Sequence, residues 1–123
     1  MDEGRPMSEC IFCRITSGDA PATFVHRNSV VDIIEPIGPH APGHVLVIPT
    51  WHVQDATTDA RVTAAVMSEA ATYAASVGPC NVITSVGAEA TQSVFHLHVH
   101  VVPRGVSDGL PRYWPWFKRE MRR

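Results

Sequence analysis

The chain has 123 residues, few cysteines, little net charge and no long apolar run. A membrane-spanning helix needs about 18 or more consecutive apolar residues. No such run occurs, so a membrane protein of that kind is not expected. The three cysteines, Cys10, Cys13 and Cys80, are too few and odd in number for a disulfide framework. Ten Lys and Arg stand against twelve Asp and Glu, a formal charge of −2. That near-balance excludes a broad electrostatic grip on a nucleic-acid polymer. It leaves room for a pocket holding one phosphate, which needs only backbone N–H groups and a few side chains. The opening MDEGRPMSEC has no apolar core of a signal peptide, so cytoplasmic residence is expected. Repeats and low-complexity tracts are missing too.

What is present is an ordinary globular composition, 45% hydrophobic and 18% charged, at the length of one domain. Residues 1–7 read as a flexible extension. Ser8 can cap a short helix reaching about Thr16, with Gly18 beyond its end and Ile11 and Ile15 facing the core. Thr23–His26 and Val30–Ile34 read as strands of a hairpin, turning at Arg27-Asn28-Ser29. The proline- and glycine-rich EPIGPHAPGH reads as a structured loop. His44–Pro49 follows as a buried strand. Thr57 or Thr58 then caps a long helix to about Val77, with Val62, Val66, Ala70, Tyr73 and Val77 on one apolar face. Cys80–Val86 and Phe95–Val102 read as the last two strands, the second stopped by Pro103, and Cys80 as a buried apolar residue. The order β-β-β-α-β-β predicts an α+β domain, an antiparallel sheet with helices on one face.

Within Phe95–Val102, His96, His98 and His100 alternate with Leu97, Val99 and Val101. Residues two apart on a strand share a face, so three imidazoles point one way and three aliphatic groups the other. Unpartnered imidazoles are costly to bury, so such a row needs a role. Two chemistries fit. The histidines could hold one catalytic zinc, although positions i, i+2 and i+4 of one strand spread the nitrogens apart. Alternatively, one imidazole attacks as a nucleophile while its neighbours fix its tautomer and handle protons. Cys10 and Cys13 form a C-x2-C zinc half-site whose second half is not local in sequence.

HLHVHVV followed by PR, with CIFCRI, PGHVLVIPTWH and QSVFH, resembles the histidine triad (HIT) superfamily over about residues 8–104, most closely its Hint-like branch. The resemblance implies a HIT-like fold: a five-stranded antiparallel sheet with one long and one short helix, joined to a second copy in a homodimer. It implies a nucleotide-conjugate hydrolase or transferase cleaving at the α-phosphate of a purine nucleoside phosphoramidate or related adenylate. Carried over by position, His98 is the nucleophile, forming a nucleotidyl-histidine. The His96 backbone carbonyl takes the His98 N–H, and His100 and His44 contact the phosphate or leaving group. Gln92 and Ser93 hold phosphate oxygens. The family's ribose-binding acid falls at Pro36, beside Glu35, its strand asparagine at Ser85, and a common glycine at Thr91. The resemblance also completes a structural zinc site, with His52 and His96 joining Cys10 and Cys13, and requires no catalytic metal. Two other functions stay open: a nucleotide-binding or scaffolding protein with little turnover, and a dinucleoside polyphosphate hydrolase. His26 and His40 read as solvated, His40 near the pocket mouth. Residues 105–123, with Trp114 and Trp116, read as a tail packing on the domain or its partner.

Overall fold

The computed structural model describes residues 7–110. The tail expected to carry Trp114 and Trp116, from residue 111 on, and the extension up to residue 6 lie outside the described residues. Five strands form one sheet: β1 (Phe24–Arg27), β2 (Val31–Ile34), β3 (Val45–Pro49), β4 (Cys80–Ile83) and β5 (Val99–Pro103). Their order is β1-β2-β3-β5-β4, and every neighbouring pair is antiparallel. Helix α1 (Ile11–Ser17) precedes the sheet, and α2 (Ala60–Ala75) connects β3 to β4. The antiparallel α+β architecture read from the sequence is therefore the one observed.

The two helices lie on opposite faces, not on one. Val31, Ile33, Val45, Val47, Val99 and Val101 point toward Val66 and Ala70 of α2. Their alternates Ile34, Leu46 and Ile48 point toward Phe12 and Ile15 of α1. The central strands are thus apolar on both sides, as every residue of β2 and β3 is buried.

The ends of the elements follow local chemistry. Cys10, not Ser8, caps α1, its sulfur accepting from Cys13 N at 3.4 Å, while Met7–Glu9 forms a separate 3-10 turn. Gly18 ends the helix at φ 90, a left-handed conformation that glycine adopts without a Cβ clash. Ile15 is buried as expected, but Phe12 is its buried companion and Ile11 is exposed. Asp59, rather than Thr57 or Thr58, caps α2 by accepting from Arg61 N and Val62 N. The last two strands are shorter than expected. Cys80–Ile83 ends before Ser85, and β5 begins at Val99, so His96 and His98 lie just ahead of it. His100 alone of the triad sits in a strand, paired with Leu46.

Candidate active site and metal cluster

The α1 face of the sheet carries a cavity of about 700 Å3, within the usual range for a small-molecule site. Its floor holds His44, His98 and His100, and its apolar wall includes Ile11, Phe12, Ile15, Ile34 and Leu46. Glu35, Pro36, His40 and Ser93 also line it. Gly43, at φ 84, makes the turn that starts β3 at this floor. A Cβ there would meet Pro103 Cγ at 3.2 Å, so this position favours glycine twice over.

Hydrogen bonds assign the protons of the floor. His98 Nδ1 lies 2.8 Å from the backbone oxygen of His96. A carbonyl only accepts, so Nδ1 carries the hydrogen and Nε2 keeps the lone pair. His100 receives the opposite assignment. The backbone N–H of His40 donates to His44 Nδ1 at 3.0 Å, which puts the neutral His44 proton on Nε2. His44 Nε2 then donates to His100 Nδ1 at 3.0 Å, leaving the His100 proton on Nε2. The His98 and His100 rings sit edge to face with centroids 5.2 Å apart. Two neighbouring rings on the cavity floor thus carry their protons on opposite nitrogens.

Leu97, Val99 and Val101 all pack on the α2 side, so His96 shares the α1-side face expected for the triad. Its ring is fully buried there and joins a cluster with Cys10, Cys13 and His52 instead of lining the cavity. The four ligand atoms lie within 4.8 Å of one another. Cys13 Sγ is 3.2 Å from His52 Nδ1, Cys10 Sγ is 3.4 Å from His96 Nδ1, and the two Nδ1 atoms are 3.1 Å apart. A tetrahedral zinc with bonds of about 2.0–2.3 Å sets edges close to these spacings. His96 Nε2 donates to Pro49 O at 3.0 Å, which leaves Nδ1 as the lone-pair atom facing the cluster. Burial pushes the His96 pKa down to about 4, so the ring is neutral at pH 7, as a ligand must be. Burial and then the neighbouring Cys10 push the Cys13 thiol up to about 12. A bound cation reverses that preference by stabilising thiolate. The donor set therefore fits a metal ion, and it keeps His96 out of the cavity floor.

The remaining expected residues divide. Ser93 is exposed at the cavity, and Glu35 is exposed at its rim. Gln92 is buried, and its side chain is engaged inside the loop before the triad: Oε1 accepts from Gly87 N at 2.8 Å, and Nε2 donates to Gln54 O and Val94 O. It braces the loop from behind and does not line the cavity. Ser85 does not line it either; its hydroxyl faces Thr91 Oγ1 at 3.5 Å. His40, expected to be solvated, is half-buried and stacks on His44 with centroids 5.4 Å apart. Phe12 was not singled out by the sequence reading. Its ring meets both His96 and His98 edge to face, and its place inside C-x2-C was the available signal.

Among the described residues, no helix is long and apolar enough to cross a membrane. The HIT domain family model matches residues 17–106. The chain is 30% identical to "Adenylylsulfatase HINT3" of Arabidopsis thaliana over 94% of its own length and 60% of that protein's. It is similar to "HIT family hydrolase from Clostridium thermocellum Cth-393", with 32% identity, TM-score 0.72, and coverage of 85% of this chain and 97% of that one. A zinc-bound histidine triad family protein from Mycobacterium smegmatis matches with 35% identity and TM-score 0.77, over 87% of this chain and 83% of that one. The triad, the sheet that carries it and these matches agree: the chain belongs to the histidine triad (HIT) family.

Proposed function

We propose that the protein is a hydrolase of nucleotide conjugates, acting at the α-phosphate of a purine nucleoside phosphoramidate or related adenylate. The observation that carries this reading is the opposite proton assignment of His98 and His100 on one cavity floor. In the first step the His98 Nε2 lone pair attacks phosphorus, and the bond from phosphorus to the leaving group breaks. The leaving amine, protonated from solvent as the bond breaks, departs as the neutral amine, while His100 Nε2–H donates a hydrogen bond to the phosphate or leaving group. The positive charge formed on the His98 ring is stabilised by its Nδ1–H bond to the His96 carbonyl. In the second step water attacks phosphorus, the phosphorus–nitrogen bond breaks, and the nucleoside monophosphate departs. The His98 ring returns to its neutral form, and the proton of that water is released to solvent. Two displacements replace one harder one. The position of Ser93 in the cavity lining, on the loop braced by Gln92, supports a role as donor to phosphate oxygens.

Incubation with adenosine 5′-phosphoramidate tests the reading. AMP release and an acid-labile adenylyl-histidine are expected, and His98→Ala is expected to lose both, by about a thousandfold or more in turnover. Full activity in His98→Ala would sink it. AMP binding without turnover across amine, aminoacyl and sulfate adenylates would favour the binding-protein reading, to which Pro36 at the cavity lends weight.

The same proposal includes a structural zinc on Cys10, Cys13, His52 and His96, supported by their convergence and by the zinc-bound relative. When bound, the ion would hold α1 against the segment leading into β5. It further includes a single catalytic unit over residues 8–104, cytoplasmic residence and a homodimer. Elemental analysis showing about one zinc per chain, lost in Cys13→Ser, tests the metal. Light scattering tests the dimer.

A further inference from the structure

We propose that Phe12 is a positioning residue for His98, and that it couples metal occupancy of the four-ligand cluster to nucleotide binding in the cavity. The inference rests on the reading of that cavity as a nucleotide site.

Phe12 stands between two metal-cluster ligands, Cys10 and Cys13, in the first turn of α1. Its ring is buried and meets the His98 ring edge to face at 5.2 Å and 73°. It meets His96 likewise at 5.7 Å and 88°. Ile11, Phe12 and Ile15 also form part of the cavity wall. One seven-residue helix therefore supplies metal ligands, a wall of the pocket and the packing surface of the nucleophile. A helix of two turns has too little intrinsic stability to fix its own position. Besides the packing of Phe12 and Ile15 on the sheet, its N-terminal end is held by the approach of Cys10 and Cys13 to His52 and His96.

His96 provides the second half of the connection. Its ring belongs to the cluster, and its backbone oxygen accepts the His98 Nδ1 hydrogen. A change at the cluster thus reaches His98 by two short routes, through the Phe12 ring and through the His96 backbone. Filling the cluster restricts both, and the restricted arrangement is the one with His98 Nδ1–H held on the His96 carbonyl. A ligand that selects this arrangement must tighten metal binding by the same factor by which metal tightens the ligand.

The test is zinc affinity, measured by competition with a chromogenic chelator, on the full chain and on Phe12→Leu, with and without saturating AMP. In the parent protein AMP is expected to tighten zinc about fivefold or more, and in Phe12→Leu by about twofold or less. Nitrogen-15 spectra of labelled histidine supply an independent reading on the parent protein. His98 is expected to be a single Nδ1–H tautomer with zinc and a mixture of tautomers after zinc is stripped. Equal zinc affinity with and without AMP, in a protein that binds AMP, overturns the coupling and leaves the nucleotide reading intact. Full coupling in Phe12→Leu overturns the role of Phe12, and an unchanged His98 tautomer overturns the link from the metal cluster to His98. No AMP binding to either form overturns the coupling together with the nucleotide reading.

Discussion

His44 Nε2 and His100 Nδ1 lie 3.0 Å apart, which links the start of β3 to the middle of β5 beneath the cavity. The bond does more than hold two strands together. Because His40 N–H occupies the other nitrogen of His44, the link has a direction, and its proton ends on His100 Nε2. Removing either imidazole removes the same directed donor. His44→Ala and His100→Ala are each expected to lower kcat by about a hundredfold, in the range of a lost oriented hydrogen-bond donor to the transition state. The double variant is expected to be no slower than the slower single one, because the pair acts as a unit. Steady-state kinetics of the four proteins checks this, and simple multiplication of the two losses would contradict it.

Thr91 adopts φ 77, a left-handed conformation that a β-branched residue tolerates poorly. Its hydroxyl bonds to the Ala90 carbonyl, a local compensation. Thr91→Gly is expected to stabilise the fold by about 1 kcal/mol, after allowing for the extra freedom glycine gives the unfolded chain. A rise of a few degrees in Tm would be read by calorimetry. A fall in Tm would show that the hydroxyl contacts outweigh the backbone strain.

Asp55 is buried in the turn before α2, where its Oδ1 accepts from Thr57 N at 2.8 Å and Thr57 Oγ1 at 2.6 Å. These bonds, first that from the Thr57 hydroxyl, hold the Asp55 carboxyl below the usual carboxylate value. A depressed folded value means that the stabilisation is present above the unfolded pKa, near 4, and is lost as pH falls through the folded one. Asp55→Ala is expected to cost about 1–2 kcal/mol at pH 7, like the loss of a helix cap. The gap from the parent should narrow below about pH 3. Urea unfolding at both pH values measures it, and a pH-independent gap would refute the assignment.

Arg27 makes two bonds to the carboxylate of Asp32, at 2.9 and 3.2 Å, and a third to Thr16 O at the end of α1. The Asp32 side chain is 1% exposed and the Arg27 side chain 48%. Arg27→Ala leaves a buried carboxylate without its cation. Water can enter where the half-exposed guanidinium stood, so the cost is expected at about 1–3 kcal/mol, below that of a fully enclosed pair. Asp32→Asn, which leaves no buried charge, is expected to cost less. Chemical denaturation ranks the two, and the reverse order would count against the ion-pair account.

Legibility in the sequence followed the range of the interactions. The β-branched VVDII and HVLVIP runs, the 3.6-residue period from Val62 to Val77 and the Gly18 and Gly78-Pro79 stops are local signals, and the elements they mark are present. Errors fell at element ends, where a cap is chosen by competition. Cys10 displaced Ser8 and Asp59 displaced the two threonines because their side chains, not their neighbours', reach the first free N–H groups.

The sequence by itself determined that three histidines alternate with aliphatic residues, and that a C-x2-C lies far from any local partner. Tertiary structure alone decided that the three do not act alike. The three rings share the α1 side, but Cys10 and Cys13 of α1 and His52 close around His96, while His98 and His100 line the cavity beside it. The proton assignments were likewise out of reach. They depend on a carbonyl two residues back for His98, and for His100 on an imidazole 56 positions away that is itself oriented by the His40 N–H. Such contacts exist only once β3 and β5 are paired.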